Sequence, residues 1–218
     1  MTRQSDHEVI TAQAGDVDRE LTIEIGNGAQ HTVQTISQSY PTTIDDLWDA
    51  CIDPARLERW FAPVSGHLAV GGRYQIEGNA SGEVTACEPL RLFAVTWDSG
   101  DDVSNLTVRL ADLDNRARLT IEHSHTAAVN SAFWSQYGPG ATGVGWDLSL
   151  LGLALHLLAG SQRPIDENAF TQTMAGQQFI RDASRAWGRA SESAGTLEAE
   201  AAAAADRTTA AYLGLSPE

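Results

Sequence analysis

The stretch from Gly143 to Gly160 constrains the fold more than any other part of the sequence. At about 100° per residue, the apolar residues of such a helix fall into two stripes on opposite faces. One stripe consists of Val144, Leu148, Leu151, Leu155 and Leu158, and the other of Trp146, Leu150, Leu153 and Leu157. Both faces need a cover, and with Asp147 and His156 inside it this short stretch is a poor membrane span. We therefore predict a central helix between two layers.

The composition is that of a globular protein with a strongly acidic balance of charge. The chain has 218 residues, of which 42% are hydrophobic, enough for the core of one domain with an appended subdomain. It has 14 basic residues, all arginine, and 29 acidic ones. The resulting formal charge of -15 disfavours nucleic acids and anionic membranes as partners. The lack of lysine excludes Schiff-base chemistry and a Walker-type phosphate loop.

The amino-terminal segment and the cysteines predict an intracellular protein without a metal centre. Residues 1–18 are polar and aperiodic, without the basic start and apolar run of a secretory signal, so we expect a flexible tail and a cytoplasmic location. Cys51 and Cys87 are isolated, without CxxC spacing, and are expected to be separate thiols rather than a disulfide or a metal site. No cofactor is predicted.

Alternating apolar residues predict an antiparallel sheet that two short helices interrupt. A turn at Gly26-Asn27-Gly28 joins strands at 19–25 and 31–40 into a hairpin. Thr42 or Thr43 is placed to cap a helix that reaches Cys51, and Pro54 begins a second helix, up to Phe61. Further strands are expected at 67–70, 73–77, 82–87, 90–97, 103–110 and 116–123, joined by short turns.

Helical patterns return beyond Gly160. Helices are expected near Ala169, over 175–193 and over 197–213, the last of them rich in alanine. We divide the chain accordingly into a flexible tail (1–18), a domain of sheet and helices (19–160) and a helical extension (161–218).

Four motifs resemble the START-like, Bet v 1-like (SRPBCC) superfamily, and within it the branch related to the activator of the Hsp90 ATPase. They are Asp53–Phe61 (DPARLERWF), Val70–Tyr74 (VGGRY), Gly82–Trp97 (GEVTACEPLRLFAVTW) and the pair Gly145-Trp146. The resemblance covers roughly residues 30–159. It implies an α+β helix-grip fold, in which a curved antiparallel sheet wraps around the long helix and encloses an apolar cavity, with two short helices after the first strands.

The sequence departs from that family on the outer face of the long helix. In other members this face is more polar, whereas here it carries Leu148, Leu151 and Leu155. Burying each such side chain stabilises a protein by about 1.5 to 3 kcal/mol, so this face requires a cover. We expect the extension after Gly160 to pack on it, with a second subunit in a homodimer as the alternative. The amino-terminal domain of the Hsp90 activator has no counterpart here, which argues against chaperone activation.

The expected cavity carries the functional prediction. Aromatic and apolar residues with inward parity, together with the sheet-facing side of the helix, are expected to hold a small apolar or amphipathic molecule. The predicted ligand-binding residues are Trp60, Phe61, Tyr74, Trp97, Leu119, His123, Trp146, Leu150 and Leu153. We expect His123, Tyr74 and the indole nitrogens of Trp97 or Trp146 to orient the polar end of that ligand.

Two other uses of the same residues stay open. His123 and His125 alternate on a strand and can face one metal ion, but the sequence shows no third ligand. His123 can also act as a general base, as a cyclase or hydrolase would require, although no nucleophile or orienting carboxylate is readable. We favour a ligand-binding protein over an enzyme, with a co-chaperone or protein-interaction module as a further alternative and no catalytic residue assigned.

Overall fold

One eight-stranded antiparallel sheet forms the frame of the molecule. The computed structural model describes residues 3–100, 102–129, 131–163 and 167–215. The strands are β1 Val17–Gly26, β2 Ala29–Tyr40, β3 Val64–Gly66, β4 Arg73–Ile76, β5 Ser81–Glu88, β6 Leu92–Ser99, β7 Asp102–Asp112 and β8 Ala117–Ala128. Their order across the sheet is β1-β2-β8-β7-β6-β5-β4-β3. This arrangement confirms the predicted α+β helix-grip fold.

The helices lie before, between and after these strands. They are α1 Asp6–Gln13, α2 Ile44–Ile52, α3 Pro54–Trp60, α4 Ala132–Tyr137, α5 Gly140–Ala154, α6 Glu167–Gln172, α7 Met174–Ser193 and α8 Glu198–Leu213. The long helix α5 continues into a π-helical turn, Leu155–Ala159. Helices α2 and α3 form where their caps predict them: Thr43 accepts a bond from the Asp46 amide, and Asp53 precedes Pro54 in the first turn of α3.

The amino-terminal segment contains a helix that its polarity did not predict. Ser5 and Glu8 form a capping box, in which each side chain accepts a hydrogen bond from the backbone of the other residue. Val9 of α1 is buried, and the amide of Gln13 exchanges hydrogen bonds of 2.8 and 3.0 Å with that of Gln38 in β2. Helix α1 is therefore packed against α5, α7 and the π-helical turn, with Gln13 bound to the sheet, where the sequence suggested a flexible tail.

Two strands differ from their predicted course. The strand expected at 67–70 lies earlier, at Val64–Gly66, because Val64 pairs with Ile76 while residues 67–70 are exposed. In β5 the pairing with β6 shifts between Val84 and Ala86. This β-bulge reverses the alternation of side chains, so that Cys87 rather than Ala86 shares the inner face with its partner Phe93.

Helix α5 is covered on both sides. Its outer residues Val144, Leu151 and Leu155 are buried, and α7 packs along this face with Ile180 and Trp187, both fully buried. By length and composition the segment Gly140–Ala159 could cross a membrane, yet 61% of its apolar stretch is buried inside the protein. Its apolar character is thus accounted for by contacts with the sheet and the carboxy-terminal helices.

Two glycines allow these layers to approach α5 closely. A Cβ atom on Gly143 would lie 2.3 Å from the indole of Trp187 in α7, and one on Gly152 would lie 2.2 Å from the carbonyl oxygen of Trp60 in α3. Real Cβ contacts are longer, so a side chain at either position would push the neighbouring element away. The small residues along α5 therefore set the distance between the layers.

A buried ion pair joins the sheet, α5 and α7. Arg19 reaches inward from β1, and its Nε donates to the Asp147 carboxylate at 3.1 Å. The indole of Trp187 donates to the same carboxylate at 2.8 Å. The Asp147 side chain is 0% exposed and that of Arg19 5%. Burial raises the pKa of Asp147, and the bonds from Arg19 and Trp187 oppose that rise.

We predict that Asp147→Asn lowers the free energy of unfolding by about 3–5 kcal/mol, because it leaves the Arg19 guanidinium buried without a counter-charge. The control is Asp18→Asn, which breaks the pair of Asp18 and Arg118 at the surface, where the Asp18 side chain is 71% exposed. That change should cost less than about 1 kcal/mol. Urea unfolding of both variants measures the difference, and equal losses would contradict the proposed weight of the buried pair.

Candidate functional site

A cavity of about 230 Å³ lies between the inner face of the sheet, α3 and the start of α5. Strands β4 to β8 supply most of its wall, because alternate residues on each strand point inward. Among the predicted ligand-binding residues, those that border the cavity are Trp60, Phe61, Tyr74, Trp97, Leu119 and Trp146. Leu150 and Leu153 are 0% exposed and lie in the packed core beside it. His123 lines a separate polar cleft.

The sequence-based prediction missed a large part of the wall. These residues are Cys51, Ile52, Leu57, Val64, Leu68, Ile76, Val84, Cys87, Phe93, Val95, Leu106, Val108, Ile121 and Ser149. Most of the strand residues in this set carry the inward parity already visible in the sequence, so parity alone could have identified them. Cys87 could not be found in this way, because the bulge in β5 turns it inward.

Three polar groups of the cavity wall, on Tyr74, Trp60 and Cys51, are hydrogen-bonded or keep their proton at neutral pH. The hydroxyl of Tyr74 donates to the Thr96 carbonyl at 2.6 Å, and burial raises the pKa of Tyr74 to about 12. The indole of Trp60 donates to the Ala50 carbonyl at 2.8 Å. Burial also raises the pKa of the Cys51 thiol to about 12, so that a reactive thiolate is not available at neutral pH. These groups shape the wall without offering a nucleophile or a proton-transfer group.

Three aromatic rings separate the cavity from the polar cleft. The ring centroids of Trp97 and Trp146 are 5.2 Å apart, those of His123 and Trp146 5.6 Å, and those of Trp97 and His123 6.2 Å. We call Trp97, His123 and Trp146 the aromatic partition. Trp97 and Trp146 border the cavity, whereas Trp97 and His123 border the cleft.

Hydrogen bonds in the aromatic partition fix the tautomer of His123. The indole of Trp146 can only donate, and it donates to His123 Nδ1 at 3.1 Å. The proton of the neutral imidazole is therefore on Nε2, which lies 2.7 Å from Ser104 Oγ and donates to it. The Ser104 hydroxyl in turn donates to the Trp97 carbonyl at 3.2 Å.

This chain of bonds opposes catalysis by His123 in the arrangement seen. Nδ1 has no free lone pair, and Nε2–H points at Ser104, so the imidazole cannot take a proton from that hydroxyl. Desolvation, together with the nearby His125, lowers the pKa of His123 to about 4. His123 is accordingly a neutral ring that holds Trp146 and Ser104 in place.

The second histidine of the motif has a different partner. His125 Nε2 lies 2.8 Å from a carboxylate oxygen of Asp102 at the exposed rim of the cleft. Within the described parts of the chain, no group of three or more His, Cys, Asp or Glu side chains is arranged to hold a metal ion. The two histidines thus serve separate interactions.

The chain resembles one family throughout the region that builds this site. The family model described as Activator of Hsp90 ATPase homolog 1-like protein matches residues 41–157. This match includes the cavity-lining residues of α2 to β8 and the start of α5. No curated protein matches the chain.

Solved structures with the same fold include the proteins CalU16 and DynU16. The crystal structure of CalU16 from Micromonospora echinospora is 30% identical, with a TM-score of 0.56, over 65% of this chain and 85% of that one. The solution structure of CalU16 is 26% identical, with a TM-score of 0.65, over 82% of this chain and 96% of that one. DynU16, a protein in the dynemicin biosynthetic locus, is 21% identical, with a TM-score of 0.52, over 61% of this chain and 49% of that one.

We predict that the neutral state of His123 makes the protein less stable in acid. The folded pKa of about 4 lies below the ordinary value of 6.5. As the pH falls, His123 of the unfolded chain therefore binds a proton before His123 of the folded protein does. The contribution of the neutral imidazole to the free energy of unfolding is fully present above about pH 6.5 and is lost as the pH drops towards 4. Wild type should lose on the order of 2–3 kcal/mol more than His123→Gln between pH 7 and pH 4.5, measured by urea unfolding.

The comparison with His123→Gln removes the contributions of other titrating groups, since these are present in both proteins. Nitrogen-detected NMR of the imidazole provides a second readout, with the proton on Nε2 at neutral pH. A His123 that titrates near 6.5, or a ring with its proton on Nδ1, would contradict the arrangement of the partition.

Proposed function

We propose that this chain, which belongs to the family of activator of Hsp90 ATPase homolog 1-like proteins, binds a small molecule. The molecule is largely apolar and lies in the cavity between the sheet and α5. The observation that carries the proposal is the composition of the wall. It consists almost entirely of aromatic and aliphatic side chains contributed by the strands, α2, α3 and α5. Transfer of an apolar ligand from water into such a space supplies the affinity.

The volume of the cavity limits the size of its ligand. At about 230 Å³ it is below the usual range of about 300–1,000 Å³ for sites that enclose drug-sized molecules. A compact ring system is therefore a better occupant than a long lipid chain. The aromatic walls at Trp60, Phe61 and Trp146 offer edge and face contacts to such rings.

The orientation of the ligand depends on fewer polar groups than the sequence suggested. Tyr74, Trp146 and His123 were all expected to bind its polar end, but each has its hydrogen-bonding atoms engaged within the protein. The indole nitrogen of Trp97 has no hydrogen-bond acceptor among the described residues, and Trp97 is half-buried at the edge of the cavity. We assign the orienting contact to this N–H group.

Three ionisable groups, those of Cys51, Tyr74 and His123, are in states that favour binding over catalysis, while the thiol of Cys87 also lies in the cavity wall. Cys51 and Tyr74 keep their protons at neutral pH, and His123 has both ring nitrogens engaged. General acid–base or nucleophilic catalysis needs such a group to be available to the substrate. The cavity therefore supports a binding protein better than a cyclase or hydrolase.

We further propose that the division suggested by the sequence for residues 19–218 describes how the protein is built. Residues 19–160 then form the binding domain and residues 161–218 an extension whose helix α7 covers the outer face of α5. With that face covered within one chain, a homodimer is not needed to bury it. We propose a cytoplasmic location, in keeping with the acidic chain and its unpaired thiols.

We predict that fused aromatic compounds raise the melting temperature of the wild-type protein and that Val95→Phe abolishes this effect. Val95 lines the cavity and is 8% exposed, so a phenyl ring at this position occupies the space of the ligand. At a ligand concentration 100 times the Kd, stabilisation of about 2.7 kcal/mol corresponds to a shift of roughly 5–10 °C. Thermal-shift screening measures the effect, and native mass spectrometry of the purified protein shows any retained ligand.

The matched control is Val103→Phe, which introduces the same ring at a position that is 59% exposed on β7. This variant should respond to ligands as the wild type does. Hits that survive in Val95→Phe, or that disappear equally in both variants, would place the ligand elsewhere and overturn the proposal.

A further inference from the structure

A polar cleft of about 450 Å³ lies on the far side of the aromatic partition from the cavity. It is formed by the inner faces of β2, β6, β7 and β8 near one end of these strands, and by the segment that leads into α4 and α5. Here the inward positions that are apolar along the cavity become polar. On β8 the inward series Leu119, Ile121 continues with His123 and His125, and on β2 the inward series begins with Gln30, Thr32 and Gln34.

Buried amides in this cleft have unused hydrogen-bonding capacity. The Gln30 residue is 8% exposed, and its side chain has no hydrogen-bond partner among the described residues. Gln34 is 6% exposed, and its amide nitrogen donates to the Pro139 carbonyl at 2.6 Å, while its oxygen accepts no bond from the described part of the chain. Both side chains are largely buried, but these unpaired polar atoms reach the cleft, so they are available to hydrogen-bond a ligand there.

The charges of the cleft select the kind of ligand. No arginine lines it within the described residues, so an anionic group would have no counter-charge. The Asp102 carboxylate at the rim already pairs with His125, and His123 is neutral. What remains are amides and hydroxyls beside the aromatic rings of Trp97 and Trp134. This combination suits a neutral ring with several hydroxyl groups, whose C–H faces lie on indoles while its hydroxyls bond to amides.

Trp97 connects the cleft to the cavity. Among the described residues it is the one side chain that borders both spaces, and its indole N–H has no acceptor there. A molecule that occupies both spaces must therefore pass the edge of this ring. An oxygen atom linking an apolar body to a hydroxylated ring would come within reach of that free donor.

We propose that the polar cleft binds a neutral polyhydroxylated group, such as a sugar, attached to the apolar body that occupies the cavity. The ligand is thus a glycoside of a compact ring system rather than a plain hydrocarbon. This inference rests on the proposed function, since the cavity must first hold the apolar body. It goes further by assigning a second subsite and its chemistry.

The test compares two probes that differ by one sugar, 2-naphthol and 2-naphthyl β-D-glucopyranoside. Isothermal titration calorimetry of the full chain gives the Kd of each. A sugar makes the probe more soluble in water, so without contacts to the protein it would weaken binding. With two or three hydrogen bonds in the cleft, the glucoside should bind about tenfold more tightly than the naphthol.

The variant is the double substitution Gln30→Leu and Thr32→Val, which keeps the size of two cleft side chains and removes their polar atoms. It should bind both probes with similar affinity, because the advantage of the sugar is lost while the cavity is unchanged. The control is Thr35→Val, at an outward position of the same strand. It should preserve the tenfold preference, and unfolding curves of each variant verify that the fold is retained.

The outcomes distinguish the two levels of the inference. If the protein binds naphthol, and binds the glucoside no more tightly than naphthol, the sugar subsite is overturned and the apolar cavity stays in place. A preference for the glucoside that persists in the double variant also overturns it, since the sugar then lies elsewhere. Failure of both probes to bind overturns the subsite and the apolar cavity together.

Discussion

The buried Asp147 carboxylate is the interaction on which the arrangement of the layers depends. It accepts hydrogen bonds from Arg19 of the sheet and from Trp187 of α7, and a charge without such partners would be very costly in this place. The sheet and α7 must therefore both meet α5 at the level of Asp147. Apolar contacts along α5 provide most of the stabilisation, but they tolerate sliding far better than this single polar junction does.

The same junction positions the functional site. Trp146 precedes Asp147 in α5, so the contacts that hold Asp147 also determine where the Trp146 indole meets His123 and Trp97. The carboxy-terminal helices are outside the cavity, yet Trp187 acts on it through this neighbouring residue. Covering the outer face of α5 thus stabilises the helix and also defines one wall of the binding space.

The inner face of the sheet has two chemical zones, with the aromatic partition between them. Along β6, β7 and β8 the apolar residues end at Trp97, Leu106 and Ile121, and Ser99, Ser104 and His123 follow at inward positions. The neutral His123 allows this change, because one ring nitrogen accepts a bond from Trp146 beside the cavity while the other donates to Ser104 beside the cleft. The partition therefore lets an apolar and a polar space lie side by side without an unpaired charge.

The two-faced helix, the antiparallel strands, the helix-grip family and most aromatic residues of the cavity wall can be predicted from the order of residues alone. Those features depend on periodicity and local caps, which are written in neighbouring residues. The partners of Arg19, Asp147 and His123 follow only from the folded arrangement, since each bond joins residues that are distant in the chain. The same holds for the inward position of Cys87, because a single bulged residue reverses the parity on which sequence reasoning relies.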